Sequence, residues 1–278
     1  MSEAPVIELD HVSLVYRAGW GGAKSETLAV DDVSLVVNEG ECLGLVGGSG
    51  SGKSTLARVM TGQIAATSGA VCIRLREDAA TGHASGRRTI TAPRPRDVAG
   101  HVGLVFQDPY ASFDPHWTLR RSIEEALLLK GSSRRDHAGR GATDFLEMVG
   151  LNAAFAARRP GALSGGQIQR AAIARAIAIN PDVLILDEAL SSLDVSVQAN
   201  ALGLLARLRQ ELSLTIVFIG HNLAVVGAIA DRVAVMEAGR LVEAGPTAQL
   251  YRAPQSDYTR QLIRAVPKLR HRQGGVAA

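Results

Sequence analysis

Short apolar runs of strand length alternate with longer segments of helical periodicity along most of this chain. Two extended runs come first, VIELDHVSLVY and LAVDDVSLVV, with a glycine-rich loop predicted over residues 18–25 between them. The runs ECLGLV, AVCIRL, VGLVF, DVLILDE and LTIVFIG follow, and each is short and apolar enough for a buried strand. Strands that alternate with helices predict an α/β protein whose mainly parallel sheet is covered on both faces.

Two stretches depart from this alternation. Residues 77–100 are polar, with Gly, Pro, Arg and Thr and little periodicity, and they predict a long surface insertion without regular structure. Residues 108–165 carry helical patterns such as TLRRSIEEALLLK and ATDFLEMVGL, which predict an inserted helical subdomain. We therefore expect one domain over residues 1–250, followed by a short helix and a basic tail over residues 251–278.

Composition narrows the class of protein. The chain has 278 residues, of which 46% are hydrophobic, so it can bury a substantial core. Its net charge of +3 gives no reason to expect a nucleic-acid partner. Cys42 and Cys72 lie in strand-like runs without metal-ligand spacing, which predicts buried structural thiols. We find neither a signal-peptide pattern nor an apolar run near the ~20 residues that span a membrane, so we expect a soluble cytosolic chain.

The stretch GGSGSGKST lies between a predicted strand and a predicted helix and fits the pattern G-x-x-x-x-G-K-[ST]. Its glycines free the backbone to curl N–H groups around a β-phosphate, the lysine reaches the β and γ oxygens, and the serine hydroxyl suits Mg²⁺. The alternative is a glycine-rich turn that only caps a helix. The residues predicted to bind nucleotide here are Gly47, Gly50, Gly52, Lys53, Ser54 and Thr55, with Ser54 also a metal ligand.

Polar side chains end three of the predicted strands. Asp187 and Glu188 end VLILDE, where the aspartate can hold Mg²⁺ and the glutamate can polarise a water for attack on a γ-phosphate. Gln107 follows VGLVF and His221 follows LTIVFIG. A parallel sheet brings these ends to one edge, where ligands bind in open α/β sheets. The alternatives are solvated strand ends, a polar cap at His221, and an exposed Gln107 that neither ligates Mg²⁺ nor positions water.

The sequence LSGGQ places a small polar turn at the start of a helical pattern. The turn consists of Ser164, Gly165 and Gly166, and Gln167 follows it. A helix N-terminus carries free N–H groups and a partial positive charge, and glycines permit close approach to the backbone. This turn is therefore predicted to contact a phosphate.

The phosphate loop, Gln107, LSGGQ, VLILDE, the SSLD stretch at residues 191–194 and His221 occur in the order seen in one family. Together they resemble the nucleotide-binding subunit of ATP-binding cassette (ABC) transporters, over nearly the whole chain. QDPYASFDP, DVSVQ and APQSDYTRQLIRAVP are similar to the oligopeptide, dipeptide and nickel uptake branch. The resemblance implies a P-loop NTPase core with a mixed, mainly parallel sheet, an antiparallel β subdomain and the inserted α-helical subdomain.

The resemblance also implies roles for single residues. The turn at Ser164 acts in trans, on the γ-phosphate held by the phosphate loop of a facing subunit. Asp194 crosses that subunit interface, and Tyr16 stacks on adenine. Gln107 ligates Mg²⁺ and couples the nucleotide to the membrane subunits, and His221 contacts the γ-phosphate and the attacking water.

The function implied is an ATPase, using ATP and Mg²⁺, that energises uptake of peptides or related small solutes. Its partners would be a second, different ABC ATPase chain, two integral-membrane permeases and an extracytoplasmic solute-binding protein, with no nucleic acid. It would lie at the cytoplasmic face of the cell membrane, held by the permeases. A nickel or metal-chelate importer and a soluble non-transport ABC ATPase stay as alternatives.

This chain departs from the family pattern at two positions in the motifs. Ala189 stands where the family has proline, and Asn222 stands where it has aspartate. We expect neither to remove catalysis. The C-terminal tail has no cysteine, so we expect no iron–sulfur cluster there.

Overall fold

The computed structural model describes residues 5–20, 23–76, 87–129, 139–191 and 193–265. The strands in these ranges are β1 (Pro5–Trp20), β2 (Ala23–Asn38), β3 (Cys42–Val46), β4 (Ser68–Arg76), β5 (Arg87–Thr91), β6 (Val102–Val105), β7 (Val183–Asp187), β8 (Thr215–Gly220), β9 (Arg232–Glu237) and β10 (Arg240–Pro246). The helices are α1 (Lys53–Met60), α2 (Pro95–Val98), α3 (Leu119–Leu129), α4 (Ala142–Met148), α5 (Gly165–Ala178), α6 (Val195–Leu212), α7 (Leu223–Gly227), α8 (Thr247–Arg252) and α9 (Asp257–Ala265).

A six-stranded sheet forms the centre of the molecule, in the order β10-β9-β3-β8-β7-β6. All its neighbouring pairs are parallel except β9 with β10. Val46 pairs with Gly220, and Asp187 pairs with Ile219. The predicted mainly parallel sheet is therefore confirmed, and the carboxyl ends of β3, β7 and β8 meet at one edge.

Alternate residues of the central strands point into two separate cores. Leu184 and Leu186 of β7 pack on one face with residues of helices α3 to α8. Val183 and Ile185 pack on the other face, against α1 and the inner side of a second sheet. Both faces are buried, which explains why β7 and β8 are uninterrupted apolar runs in the sequence.

The second sheet is antiparallel, in the order β2-β1-β4-β5. It corrects the prediction that residues 77–100 lack regular structure, because β5 pairs with β4, with Ile90 opposite Ile73, and α2 follows it. The RRTIT sequence of this edge strand is polar and mostly exposed, so it gives no alternating signal. Residues 77–86 of that prediction lie outside the described part. The predicted loop at residues 18–25 is also wrong in length, since β1 and β2 pair as far as Trp20 and Ala23.

In the connection from β6 to β7, the described part of residues 108–165 contains α3, α4 and three short 3₁₀ turns, as its helical pattern predicts. The exact domain limits stay a prediction. After β8 the chain adds β9 and β10, which the periodicity did not single out. In the described part of residues 251–278, the last two residues of α8 are followed by one complete helix, α9, as expected. Residues 266–278, which were predicted to form the tail, lie outside the described part.

The two cysteines differ in their surroundings. Cys42 is fully buried in the core, and burial raises the pKa of its thiol to about 12. Cys72 is only half-buried, so the prediction of two buried thiols is correct for Cys42 alone. Within the described residues, no helix combines the length and apolar character that crossing a membrane requires.

Candidate nucleotide site

The phosphate loop connects β3 to α1 under tight steric constraint. Gly52 immediately precedes α1 with φ of 97°, and a Cβ there would lie 2.4 Å from the carbonyl oxygen of Ala29. A Cβ on Gly47 would lie 2.2 Å from the carbonyl oxygen of Met236 on β9. Any larger residue would force the loop away from β2 or β9, so these two glycines allow the loop to turn sharply into the helix.

Lys53 lies within this loop, with a side chain that is only 4% exposed. Its Nζ donates to the carbonyl oxygens of Gly47 at 3.0 Å and Gly48 at 2.7 Å, and to Ser51 Oγ at 3.3 Å. Burial lowers the pKa of this ammonium, although the carboxylate of Glu188 opposes the shift. A buried cation beside the backbone amides of a tight loop suits a polyanionic phosphate chain.

Ser54 joins the phosphate loop to the end of β7. Its hydroxyl donates to Asp187 Oδ1 at 2.9 Å. Burial raises the pKa of Asp187, against the lowering effect of the Ser54 hydrogen bond. A hydroxyl and a carboxylate in contact are oxygen ligands of the kind that Mg²⁺ prefers. On the next residue, Thr55 Oγ1 lies 3.4 Å from the hydroxyl of Tyr16, which places the predicted adenine-stacking ring beside the loop.

Glu188 follows β7 with a strained backbone. Its φ of 48° lies in the left-handed region, which is uncommon for a glutamate. Hydrogen bonds to both backbone polar groups of Glu188 stabilise this conformation. Its N–H donates to the carbonyl oxygen of Ile219 at 3.1 Å, and its carbonyl accepts from the N–H and hydroxyl of Ser191 at 3.0 and 2.8 Å. Backbone strain of this kind is concentrated at functional sites.

Three side chains from different segments converge on the Glu188 carboxylate. Lys53 Nζ lies 4.0 Å from Oε1, Gln107 Nε2 donates to Oε2 at 3.3 Å, and His221 Nδ1 lies 3.8 Å from Oε2. Glu188 is mostly buried, at 19% exposed, whereas His221 is 55% exposed. The structure thus brings together the predicted residues of the phosphate loop and of all three strand ends.

The predicted signature turn lies elsewhere. Ser164 directly precedes α5 and is exposed, and its N–H donates to Gln167 Oε1 at 3.0 Å. A Cβ on Gly166 would lie 3.1 Å from Val197 Cγ1, so the turn lies beside the start of α6. In the described ranges, no hydrogen bond or ion pair joins the turn to the phosphate loop. Sequence reasoning placed both in contact with phosphate, and a single chain does not bring them together.

Asp194 caps the start of α6. Its Oδ1 accepts from the N–H of Val197 at 2.9 Å and the hydroxyl of Ser196 at 2.7 Å, and the backbone hydrogen bond, followed by that of Ser196, lowers the pKa of the carboxyl. The next side chain, Val195, is 83% exposed, which leaves the region open as the predicted interface requires. Ser192 of the SSLD stretch lies outside the described residues.

The two departures from the family pattern have simple structural roles. Ala189 is fully buried. Asn222 precedes α7, and its Oδ1 accepts from the N–H of Ala224 at 3.0 Å, so the asparagine supplies a helix cap as an aspartate would. A cavity of about 150 Å³ lies between Asn222 and Glu188, lined also by Gly220 and His221.

Sequence reasoning missed two contributions to the site. One is the carbonyl of Met236 on β9, which closes over Gly47. The other is Tyr258 on α9, whose hydroxyl accepts a hydrogen bond from the Gly48 N–H at 2.7 Å. Met236 has no local motif, and the APQSDYTRQLIRAVP stretch that contains Tyr258 indicated a family branch but no contact with the loop. Both residues are brought to the loop by contacts between distant parts of the chain.

A phosphate loop, a serine–aspartate pair and a held glutamate at one sheet edge define a nucleoside triphosphatase of the phosphate-loop class. The ABC transporter family model matches residues 30–191. The relative "Putative peptide import ATP-binding protein" of Brucella abortus (strain 2308) is 43% identical over 249 residues, 90% of this chain and 72% of the relative. A glutathione import ATP-binding protein of Salmonella choleraesuis is 42% identical over 244 residues, 87% of this chain and 37% of that protein.

Solved structures agree with the sequence comparisons. The dimeric structure of a bacterial ABC transporter cassette matches with a TM-score of 0.67 and 28% identity, covering 87% of this chain and 98% of that one. This chain therefore belongs to the ABC transporter family, and it is an ATP-binding, ATP-hydrolysing member of it.

Proposed function

We propose that this chain is the ATP-hydrolysing motor subunit of an importer that takes up peptides or related small solutes. The observation that carries the proposal is the convergence of Lys53, Gln107 and His221 on Glu188, beside the Ser54–Asp187 pair. The names of the two relatives, for peptide and glutathione import, favour a peptide as the cargo.

In this proposal Glu188 is the general base. Its carboxylate polarises the water that attacks the γ-phosphate and accepts the proton from it. His221 and Gln107 hold the carboxylate and the water in line, since both already lie against Oε2. Lys53 neutralises the β and γ oxygens, and the loop N–H groups from Gly50 to Lys53 hold the β-phosphate.

Residues of this chain suit Mg²⁺ at the same edge. The Ser54 hydroxyl and the Asp187 carboxylate already touch, and Gln107 offers an amide oxygen while its nitrogen contacts Glu188. These hard oxygen ligands fit a divalent cation that would neutralise charge on the β and γ phosphates when ATP is bound. Tyr16 lies where its ring can stack on adenine, next to Thr55.

The signature turn acts, we infer, on nucleotide held by a second subunit. Ser164, Gly165, Gly166 and Gln167 present a helix N-terminus to solvent, away from their own phosphate loop. An ATP γ-phosphate held by a facing chain would fill that position and join the two subunits, and hydrolysis would release them. Asp194, on the adjoining α6 turn, would lie in the same interface.

The other partners are those that an import role requires. Two integral-membrane permeases would hold the chain at the cytoplasmic face of the membrane, through the mostly exposed segment at residues 107–117. An extracytoplasmic solute-binding protein would deliver the cargo. The second ATPase is proposed to be a different but related chain. No nucleic-acid partner is proposed.

The test uses the transporter purified with its natural subunits. Lys53→Ala should lose ATP binding at this chain's loop, and cells carrying it should stop accumulating a labelled di- or tripeptide. Glu211→Gln is the matched surface control, because this glutamate is 53% exposed on the far end of α6. Wild-type peptide uptake by the Lys53→Ala transporter would contradict the proposal, and loss of nickel uptake instead would reassign the cargo.

Subunit composition is tested separately. We expect the purified transporter to contain one copy of this chain and one related ATPase, and the isolated chain to be mostly monomeric with slow hydrolysis. Native mass spectrometry that finds two copies of this chain and no second ATPase would replace the heteromeric arrangement with a homodimer.

A further inference from the structure

The C-terminal helix α9 contacts the phosphate loop directly. The Gly48 N–H donates to the hydroxyl of Tyr258 at 2.7 Å, across 210 residues of sequence. A Cβ on Gly48 would lie 3.1 Å from the same hydroxyl oxygen, so the glycine and the tyrosine fit closely against each other. This is a long-range contact on a loop that otherwise bonds mostly to itself.

The peptide group that Tyr258 contacts is also the one that holds Lys53. The Gly48 N–H and the Gly47 carbonyl belong to the same planar unit and point in opposite directions. The carbonyl accepts from Lys53 Nζ at 3.0 Å, while the N–H is bound by the tyrosine. Tyr258 therefore fixes the orientation of the peptide against which the lysine rests.

The hydrogen bonds of Lys53 indicate why this orientation matters. An ammonium has three donors. Two go to the carbonyls of Gly47 and Gly48, and the third reaches Ser51 Oγ only at 3.3 Å, the longest of the three. The third donor is the one most readily released to a phosphate, and the two carbonyls keep the side chain aimed while it does so.

The element that carries Tyr258 is firmly anchored. The Glu243 carboxylate on β10 accepts the N–H groups of Gln255 and Ser256 at 3.0 and 2.9 Å. Burial alone would raise the pKa of Glu243, but these hydrogen bonds, together with one from Thr259 and the charge of Arg260, outweigh it and lower the pKa. The N–H of Thr259, which is fully buried, donates to Ser256 Oγ at 3.0 Å. The phenol is thus held by a fixed helix start.

We propose that Tyr258 is a positioning residue of the nucleotide site, through which the C-terminal helix keeps the phosphate loop preorganised for ATP. It touches neither the nucleotide nor Glu188 in this role, and it acts through the Gly47–Gly48 peptide and Lys53. The inference rests on the proposed assignment of that loop as the ATP site, and it adds a segment beyond the residues that the family model matches.

The first experiment compares two tyrosine-to-phenylalanine variants by titration with a fluorescent ATP analogue and by steady-state hydrolysis in the assembled transporter. Tyr258→Phe should weaken nucleotide binding about fivefold, the effect of losing one neutral hydrogen bond, and raise the KM for ATP while kcat changes less than about twofold. Tyr251→Phe is the control, since that hydroxyl donates to the Leu223 carbonyl at 2.8 Å on the neighbouring helix. It should lower Tm without changing the KM.

The second experiment is a double-mutant cycle. Gly48→Ala should also weaken ATP binding, because its methyl group meets the Tyr258 hydroxyl, and the loss should be smaller when Tyr258 is already phenylalanine. Wild-type affinity in Tyr258→Phe, or equal losses in the two phenylalanine variants, would overturn the inference. Lys53→Ala distinguishes failure of this inference from failure of the proposed ATP site. If Lys53→Ala also binds ATP normally, the assignment of the loop as the ATP site is wrong.

Discussion

Two regions of the molecule are predicted to contact phosphate: the phosphate-loop edge, which carries Lys53 and Glu188, and the signature turn that begins at Ser164. They differ in how the rest of the chain holds them in place. At the edge, Lys53 and Glu188 are mostly buried, and side chains from separate strand ends hold the glutamate. At the turn, Ser164 is exposed and its N–H bonds within its own helix start. The edge is therefore assembled within one chain, whereas the turn presents a helix N-terminus to solvent. Changes at the edge should therefore act within one chain, and changes at the turn should act only on assembly.

The largest expected effect is that of Glu188→Gln. Hydrolysis by the assembled transporter should fall about 10²–10⁴-fold because the base is lost, while ATP binding persists because Lys53 and Asp187 are unchanged. Phosphate release and equilibrium binding measured on the same sample check this. Hydrolysis at the wild-type rate would remove Glu188 from its proposed role, and Glu211→Gln should behave as wild type.

Ser164→Glu tests the signature turn and its proposed contact with the facing subunit. A carboxylate at the helix start would repel the γ-phosphate of the facing subunit, so hydrolysis at that site should fall about 100-fold or more while this chain's own loop still binds ATP. Inter-subunit cross-linking across the turn in the presence of ATP reports closure. Gln210→Glu adds the same charge on an exposed part of α6 and should close normally. Normal closure of Ser164→Glu would contradict the trans contact.

Asp187→Asn tests whether the buried carboxylate at the phosphate-loop edge lowers the stability of the folded chain. Burial raises the pKa of this carboxyl, so its ionised form is disfavoured in the folded state. The nucleotide-free variant should melt about 2 °C higher near pH 7, although its hydrolysis is lost. The gain should shrink as the pH falls through the raised pKa, because the wild-type carboxyl then takes up a proton. A lower Tm at pH 7 would show that the carboxylate is stabilising.

The smallest effect concerns Asn222, beside the edge. Asn222→Ala removes the cap of α7 and should lower the free energy of unfolding by about 1 kcal/mol. Asn222→Asp should leave it nearly unchanged, because a carboxylate oxygen can accept from the Ala224 N–H. Urea unfolding curves with equal slopes measure both. Similar losses in the two variants would mean that the cap is not what the asparagine contributes.

Local sequence determined the parts of the site that lie on strand ends. The apolar run before Asp187 specifies a buried strand, and the glycines before Lys53 specify the tight turn between a strand and a helix. Parallel pairing then places the carboxyl ends of the strands at one edge, and the registers of β3, β7 and β8 confirm this. The helix start at Ser164 was predictable for the same reason, because a capped turn before a periodic apolar pattern is a local signal.

Tertiary structure alone decided the rest. The edge strand β5 has too polar a sequence to be recognised, and it is a strand because β4 offers it hydrogen bonds. The left-handed backbone of Glu188 depends on bonds to Ile219 and Ser191, not on any preference of glutamate. The hydroxyl of Tyr258 reaches Gly48 only because α9 is anchored to β10 and packs over the loop. Periodicity and propensity describe neighbours along the chain, so contacts across 210 residues exist only once the sheet has assembled.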